Sequence, residues 1–290
     1  MSKNMSKDLE KTAAPWKAVA DMWNTYFTQP SRVSKDEASQ YKKWLSKYSD
    51  ADTSKNVLLL GVTPEIRESL AGLNCNVTCI DINKEMISAM DSVLKAKNPK
   101  EIILNENWLV NSLSDKSFDI VVGDAVLPNV AWADRDKLLM QIKRVLKPNG
   151  LFMTRAFCVP RKKPFRNMDE ILAKFSDRKP DYQSALEFVL ELQILAYNPK
   201  DHLGTFSKPR EMLAKIRGVD GFSFESESRN KILEMVWSFW CVKFVNKAYT
   251  YAYRDEEEEE YKKYFDTVET YEARDNSYSD ITPMYILRLK

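Results

Sequence analysis

The stretch NVLLLGVTPEI, residues 56–66, decides how the rest of the chain is read. Four aliphatic residues, Val57 to Leu60, run into Gly61 and then into Thr63 and Pro64. An apolar run closed by glycine and followed by a helix start is the pattern of a buried parallel strand feeding a crossover helix. Gly61 permits a tight turn and a close approach of ligand to backbone. Thr63 is expected to cap the next helix, with Pro64 at its first position. Dinucleotide sites carry three glycines in this turn, whereas here Glu65 stands at the positive end of the helix. A pyrophosphate would meet an added negative charge and lack the backbone approach it needs, so phosphate-bearing dinucleotides are disfavoured.

Outward from this point strand and helix patterns alternate, which predicts a parallel sheet with crossover helices. Strands are expected at 56–61, 76–82, 101–108, 118–124 and 151–157, with closing strands at 266–273 and 283–290. Helices are expected at 64–72, 84–97 and 135–146. The last has Leu138, Leu139, Ile142, Val145 and Leu146 at 3.6-type spacing, and Pro148 and Gly150 are expected to stop it. The expected fold class is α/β, a Rossmann-like doubly wound sheet of seven mostly parallel strands.

The flanks read differently. Residues 1–15 are expected to be a disordered leader and 16–53 a helical prefix, its helices WKAVADMWNTYF and SKDEASQYKKWLSKY, the second N-capped by Ser34. Residues 54–159 form the expected core. Residues 160–253 are aromatic-rich and mostly helical without alternation, which marks a substrate or lid insertion after the fifth strand. One helix is expected over 232–253, with Trp237, Trp240 and Phe244 on one face, either packed on the core or caging a cation. Residues 254–290 return to the core through a helix whose Glu258 and Glu259 are spaced to pair with Lys262 and Lys263.

Composition excludes several classes. With 44 Lys and Arg against 42 Asp and Glu, the net charge of +2 lacks the basic footprint of a nucleic-acid binder. Cys75, Cys79, Cys158 and Cys241 form no CxxC pair, and His202 is the only histidine, so neither a zinc site nor a Ser/His/Asp relay has its material. The apolar stretch 232–253 is broken by Glu234, Lys243 and Lys247, and the first residues lack a signal-peptide core. A cytoplasmic protein with no membrane partner is expected.

In an open parallel sheet the ligand lies past the carboxyl ends of the strands. The residues there are Gly61, Val62 and Thr63; Asp81 and Ile82; Asn107 and Trp108; Asp124 to Asn129; and Arg155. Asp81 follows Gly61 at the distance and strand position of an acid that accepts hydrogen bonds from both ribose hydroxyls. A ribose acid beside a loop hostile to pyrophosphate points to a nucleoside without phosphates.

On VLLLG (57–61), VTCIDINKEMI (77–87), FDIVVGDAVL (118–127) and LKPNGLFMTRAF (146–157), the chain resembles the class I S-adenosylmethionine-dependent methyltransferases. The resemblance covers about 56–157, with a return at 261–290. PSR (30–32) together with LGVTPE (60–65) resembles one subgroup of them. The resemblance implies S-adenosylmethionine as cofactor and S-adenosylhomocysteine as product. Asp81 would hold the ribose, Ile82 and Met86 would pack on adenine, and Asn107 would read its amino group beside Trp108. Gly61, Val62 and Thr63 would run along the methionine portion, with Asp124 and Ala125 lining the cofactor. The chain departs from the family where Leu59 replaces the first-strand acid and Thr63 and Glu65 replace glycines. Glu65 or Asp124 is expected to supply the missing charge, and Arg32 to meet the carboxylate.

Transfer from a sulfonium needs alignment and exclusion of water more than a base. His202 and Asp124 are the weak candidates for one. No NPPY-type signature appears, the nearest segment being DAVLPNV (124–130), and no paired-glutamate loop of protein arginine methyltransferases appears, so a small-molecule acceptor is expected by exclusion. RKKPFR (161–166) is either a solvated loop or an attractor of anionic substrate. The competing readings are a catalytically silent scaffold and cyclisation of the cofactor's methionine portion; nucleic-acid methylation is disfavoured by the charge.

Overall fold

Aliphatic runs buried on both faces set the centre of the molecule. A computed structural model describes residues 23–49 and 53–290. Strands β1 (Lys55–Leu60), β2 (Cys75–Ile80), β3 (Glu101–Leu104), β4 (Phe118–Asp124) and β5 (Leu146–Arg155) pair in parallel. A separate antiparallel ribbon joins β6 (Leu203–Thr205) to β7 (Ala248–Thr250). Strands β8 (Phe265–Tyr271) and β9 (Met284–Leu289) complete the main sheet in antiparallel fashion. Its order, β3-β2-β1-β4-β5-β9-β8, bears out the expected seven mostly parallel strands. The chain leaves β1 in one direction and returns to β4 on its other side, so a crevice opens between the carboxyl ends of these two strands.

Several boundaries differ from the expectation. The third strand stops at Leu104, because Asn107 folds back to accept a hydrogen bond from Leu109 N (2.8 Å). Pro148 and Gly150 do not precede the fifth strand; β5 begins at Leu146 and its pairing with β4 passes from Phe118–Leu146 to Ile120–Leu151. The helix expected over 232–253 ends at Phe239, and 248–250 is strand. Phe239, Trp240 and Cys241 are consecutive and all buried at the point where the helix ends. Phe239 and Phe244 pack on Phe27, and Trp237 packs on Phe222, so the stripe is largely packing. In the acidic helix Arg254–Lys262, Glu259 pairs with Lys262 and Glu260 with Lys263, three residues apart, while Glu258 takes Arg254. The expected leader and most of the first prefix helix lie outside the described residues; of that helix the turn Trp23–Tyr26 is described.

The second prefix helix, α1 (Lys35–Tyr48), begins with the expected Ser34 cap. Glu37 N donates to Ser34 Oγ (3.1 Å) and Ser34 N to Glu37 Oε2 (2.6 Å), a reciprocal capping box. Glu37 also accepts from the buried Arg155 (3.2 Å), whose guanidinium forks onto Asp124 (2.6 and 3.1 Å) and donates to Pro30 O (2.8 Å). Tyr41 adds a bond from its hydroxyl to Gly123 O (3.0 Å). The prefix is thereby pinned to the carboxyl ends of β4 and β5. Among the described residues no helix is long and apolar enough to cross a membrane.

Replacing Arg155 with methionine strands two acids in the interior. A loss of about 3–5 kcal/mol is expected in urea denaturation, the range for breaking a buried ion pair from one side.

Candidate functional site

Every strand that points at the crevice delivers a polar or small residue to it. A cavity of about 370 Å³ lies past the ends of β1, β2 and β4. Of the expected residues, Gly61, Val62, Thr63, Asp81, Ile82, Met86, Asn107, Trp108, Asp124 and Ala125 line it. Arg32, Glu65 and His202 do not.

Gly61 has φ +99°, a conformation that only glycine adopts without strain, while the space a Cβ would fill is open, with Trp108 Cζ2 at 3.7 Å and Asp81 Oδ2 at 3.8 Å. Thr63 precedes the helix Pro64–Leu70 as expected, but its side chain makes no capping bond, and Pro64 carries the start. Ala125 also has a positive φ, +47°, directly at the end of β4, so the backbone is strained where it meets the cavity.

Asp81 Oδ1 accepts from Asn83 N (2.8 Å), and its carboxylate faces the cavity beside Gly61. Burial raises this carboxyl to about 6, against the pull of its backbone donors and of Lys247. Trp108 is set by a bond from its indole nitrogen to Ile80 O (2.8 Å). Asp124 lines the cavity, but both its oxygens are taken by Arg155. Arg32 and Glu65, expected as separate anchors, form an ion pair with each other, and Arg32 lies over the Trp23 ring at 5.7 Å. Close to this pair, Glu65 Oε2, Trp23 Nε1 and Thr28 Oγ1 are buried without a hydrogen-bond partner. His202 stacks on Trp132 (centroids 3.5 Å apart) and its Nδ1 is 3.4 Å from Tyr197 Oη.

Several lining or neighbouring residues escaped the sequence reading. Trp23 and Phe27 bring the prefix into the wall, and Gln193, Tyr249 and Tyr251 bring the insertion. Lys247 is buried, donates to the cavity-lining Asn129 (Oδ1, 3.2 Å), and is lowered to about 8 by burial, with Asp81 opposing the shift. Its signal was the lysine interrupting an apolar run, used above only against a membrane helix. Three of the four charges of the RKKPFR loop are engaged within the protein. Arg161 pairs with Asp255, Arg166 with Glu170, and Lys163 donates to the carbonyls of Leu195 (2.6 Å) and Tyr197 (3.2 Å).

The sheet order, the single-glycine turn and the acid at the end of β2 agree with one comparison above all: residues 60–154 match the family model described as "Methyltransferase domain". The match covers about a third of the chain, from the end of β1 through β5. Among solved structures, the CcbJ methyltransferase of Streptomyces caelestis is similar at 13% identity and TM-score 0.55, over 96% of this chain and 98% of that one. A Rhodobacter sphaeroides protein named as a candidate zinc-dependent alcohol dehydrogenase is similar at 13% identity and TM-score 0.58, over 97% and 98%. At such identities the likeness is one of fold. Among the described residues no group of three or more His, Cys, Asp or Glu is arranged to hold a metal ion. A demethylmenaquinone methyltransferase of Lactobacillus johnsonii is 38% identical over 81 residues, 27% of this chain and 32% of that protein. The matched stretches span about a third of the length of the curated relatives.

Gly61→Ala is expected to cost about 1–3 kcal/mol in thermal or urea unfolding, from backbone strain alone, since the nearest atoms leave room for the methyl group.

Proposed function

We propose that the protein is a methyltransferase that uses S-adenosylmethionine to methylate a small-molecule acceptor, yielding S-adenosylhomocysteine. The observation that carries this reading is Asp81, an acid at the end of β2 whose carboxylate opens onto the cavity beside the Gly61 backbone. Two ribose hydroxyls are the donors that such a carboxylate accepts. The residues fit the rest of the cofactor as well. Ile82, Met86 and Trp108 offer apolar surface for adenine, and Asn107 a polar edge. Of the unpartnered atoms near Arg32, Trp23 Nε1 belongs to a lining residue and suits the carboxylate of an amino-acid end, while Glu65 Oε2 and Arg32 stand behind the lining, where they would serve its ammonium and carboxylate. In this reading the prefix takes over the role of the missing first-strand acid.

When bound, the cofactor supplies a methyl group on an already activated sulfonium. The chain's part is alignment and exclusion of water, done by the apolar walls from prefix and insertion. His202, stacked on Trp132 outside the cavity lining, and Asp124, held by Arg155, remain the expected candidates for proton transfer, and neither is required for the displacement.

Titration calorimetry with S-adenosylhomocysteine tests the site. Asp81→Ala is expected to lose about 1–3 kcal/mol of binding by leaving the hydroxyls unpaired. Arg32→Ala and Glu65→Gln are each expected to weaken binding, and unchanged affinity in both would remove the prefix from the site. No binding at millimolar nucleoside would favour a silent scaffold. Release of methylthioadenosine in place of S-adenosylhomocysteine would mark cyclisation.

Acidity gives a second handle. Because burial raises Asp81 to about 6, its protonated form stabilises the empty fold at low pH, and that contribution is lost as pH rises through about 6. Hydroxyl donors favour the ionised form, so affinity is expected to climb between about pH 5 and 7. Lys247→Met removes the opposing positive charge and is expected to move that rise to higher pH, as read from dissociation constants across the range.

A further inference from the structure

The insertion side of the cavity has a chemistry of its own. Its wall is a tier of near-parallel rings: Phe157 against Tyr251 (5.6 Å, 22°) and Tyr251 against Tyr249 (6.2 Å, 8°). Tyr251 holds its place because residue 204 is glycine; a Cβ there would lie 2.0 Å from the tyrosine ring. Gln193, which lines the same cavity, is 95% buried. Its Nε2 donates to Thr205 O (3.3 Å), and since a carbonyl only accepts, the amide is fixed with Oε1 left over. That oxygen has no partner among the described residues.

The charges lining the cavity all have one sign. Asp81, Asp124 and Asp134 line it, and among the described lining residues none is lysine or arginine. Arg155 stands behind Asp124 and is committed to it, and Lys247 stands behind Asn129 and over the Tyr249 ring (4.7 Å), with Asp81 as its counter-charge. An anionic ligand would be desolvated here without a cation of its own. A fixed cation in the acceptor would adjoin the cofactor's sulfonium.

We propose that the part of the cavity lined by Gln193 and the Phe157–Tyr251–Tyr249 tier binds a planar, uncharged acceptor that donates a hydrogen bond to Gln193 Oε1, and that it discriminates against anions. This rests on the methyltransferase reading for its second substrate, but the wall chemistry stands independently of it. The transferred methyl would bond to a neutral heteroatom of the ring system, whose proton leaves to solvent as the sulfonium becomes a neutral thioether.

The test uses three matched bicyclic probes on the full chain saturated with an unreactive cofactor analogue that carries an ammonium in place of the sulfonium: 2-naphthol, 2-naphthoate and N-methylquinolinium. Naphthol is expected to bind at least tenfold tighter than either ion. Gln193→Leu is expected to weaken naphthol about tenfold while leaving S-adenosylhomocysteine affinity unchanged, and Gly204→Ala, which drives the Tyr251 ring toward the cavity, to weaken naphthol further than the nucleoside. Equal or tighter binding of naphthoate or the quinolinium overturns the proposal, as does absence of naphthol binding at millimolar concentration or indifference to Gln193→Leu in a variant that still binds the nucleoside. Naphthol binding with the expected selectivity to a chain that ignores S-adenosylhomocysteine would instead sink the methyltransferase reading and leave the compartment standing.

Discussion

One guanidinium holds the site together. Arg155 is fully buried, and a buried charge is tolerated only when paired and hydrogen-bonded on all sides. It meets Asp124 from β4, Glu37 from the first turn of α1 and the carbonyl of Pro30. These three partners belong to segments more than a hundred or just over thirty residues away in the chain, so their meeting fixes the prefix over the sheet edge. Glu37 is also the N3 residue of the capping box. Local helix start and global docking thus depend on the same carboxylate.

The device recurs on the other wall. Arg135, also buried, pairs with Glu257 (2.7 Å) and donates to Thr250 O (2.6 Å) and Oγ1 (3.2 Å). It ties the helix Arg135–Val145 to the acidic helix and to β7, whose Tyr249 lines the cavity together with the adjacent Tyr251. Because each arginine is surrounded by fixed acceptors, neither offers charge to a ligand. The cavity therefore keeps the sign of its aspartates while being bounded by buried cations.

The sheet was legible because its strands are apolar runs and their partners follow at regular intervals. Four residues in a row from Val57 to Leu60, each at most 5% exposed, leave little ambiguity. The strand-end residues were legible for the same reason, since the topology decides which positions face the crevice. The insertion was not. Helix 232–253 looked continuous because Trp237, Trp240 and Phe244 share a helical spacing, and no local signal says that Phe239 and Cys241 must be buried with them. The Arg155 cluster was hidden for another reason: Glu37, Asp124 and Arg155 are ordinary residues in sequence, and their pairing is a property of the docked prefix.

The eroded glycine loop and the docked prefix are physically one feature. With Glu65 in place of glycine, the first helical turn carries a mostly buried carboxylate, and Arg32, delivered by the Arg155-anchored prefix, neutralises one of its oxygens. The other oxygen stays buried and unpartnered, an unfavourable resting arrangement that an incoming donor relieves. A diphosphate brings only acceptors to this spot and would worsen it. A nucleoside with an amino-acid tail brings an ammonium to the carboxylate and a carboxylate to the neighbouring indole and guanidinium. The loss of glycines that argues against dinucleotides is thus the same substitution that creates an acceptor for the cofactor we propose.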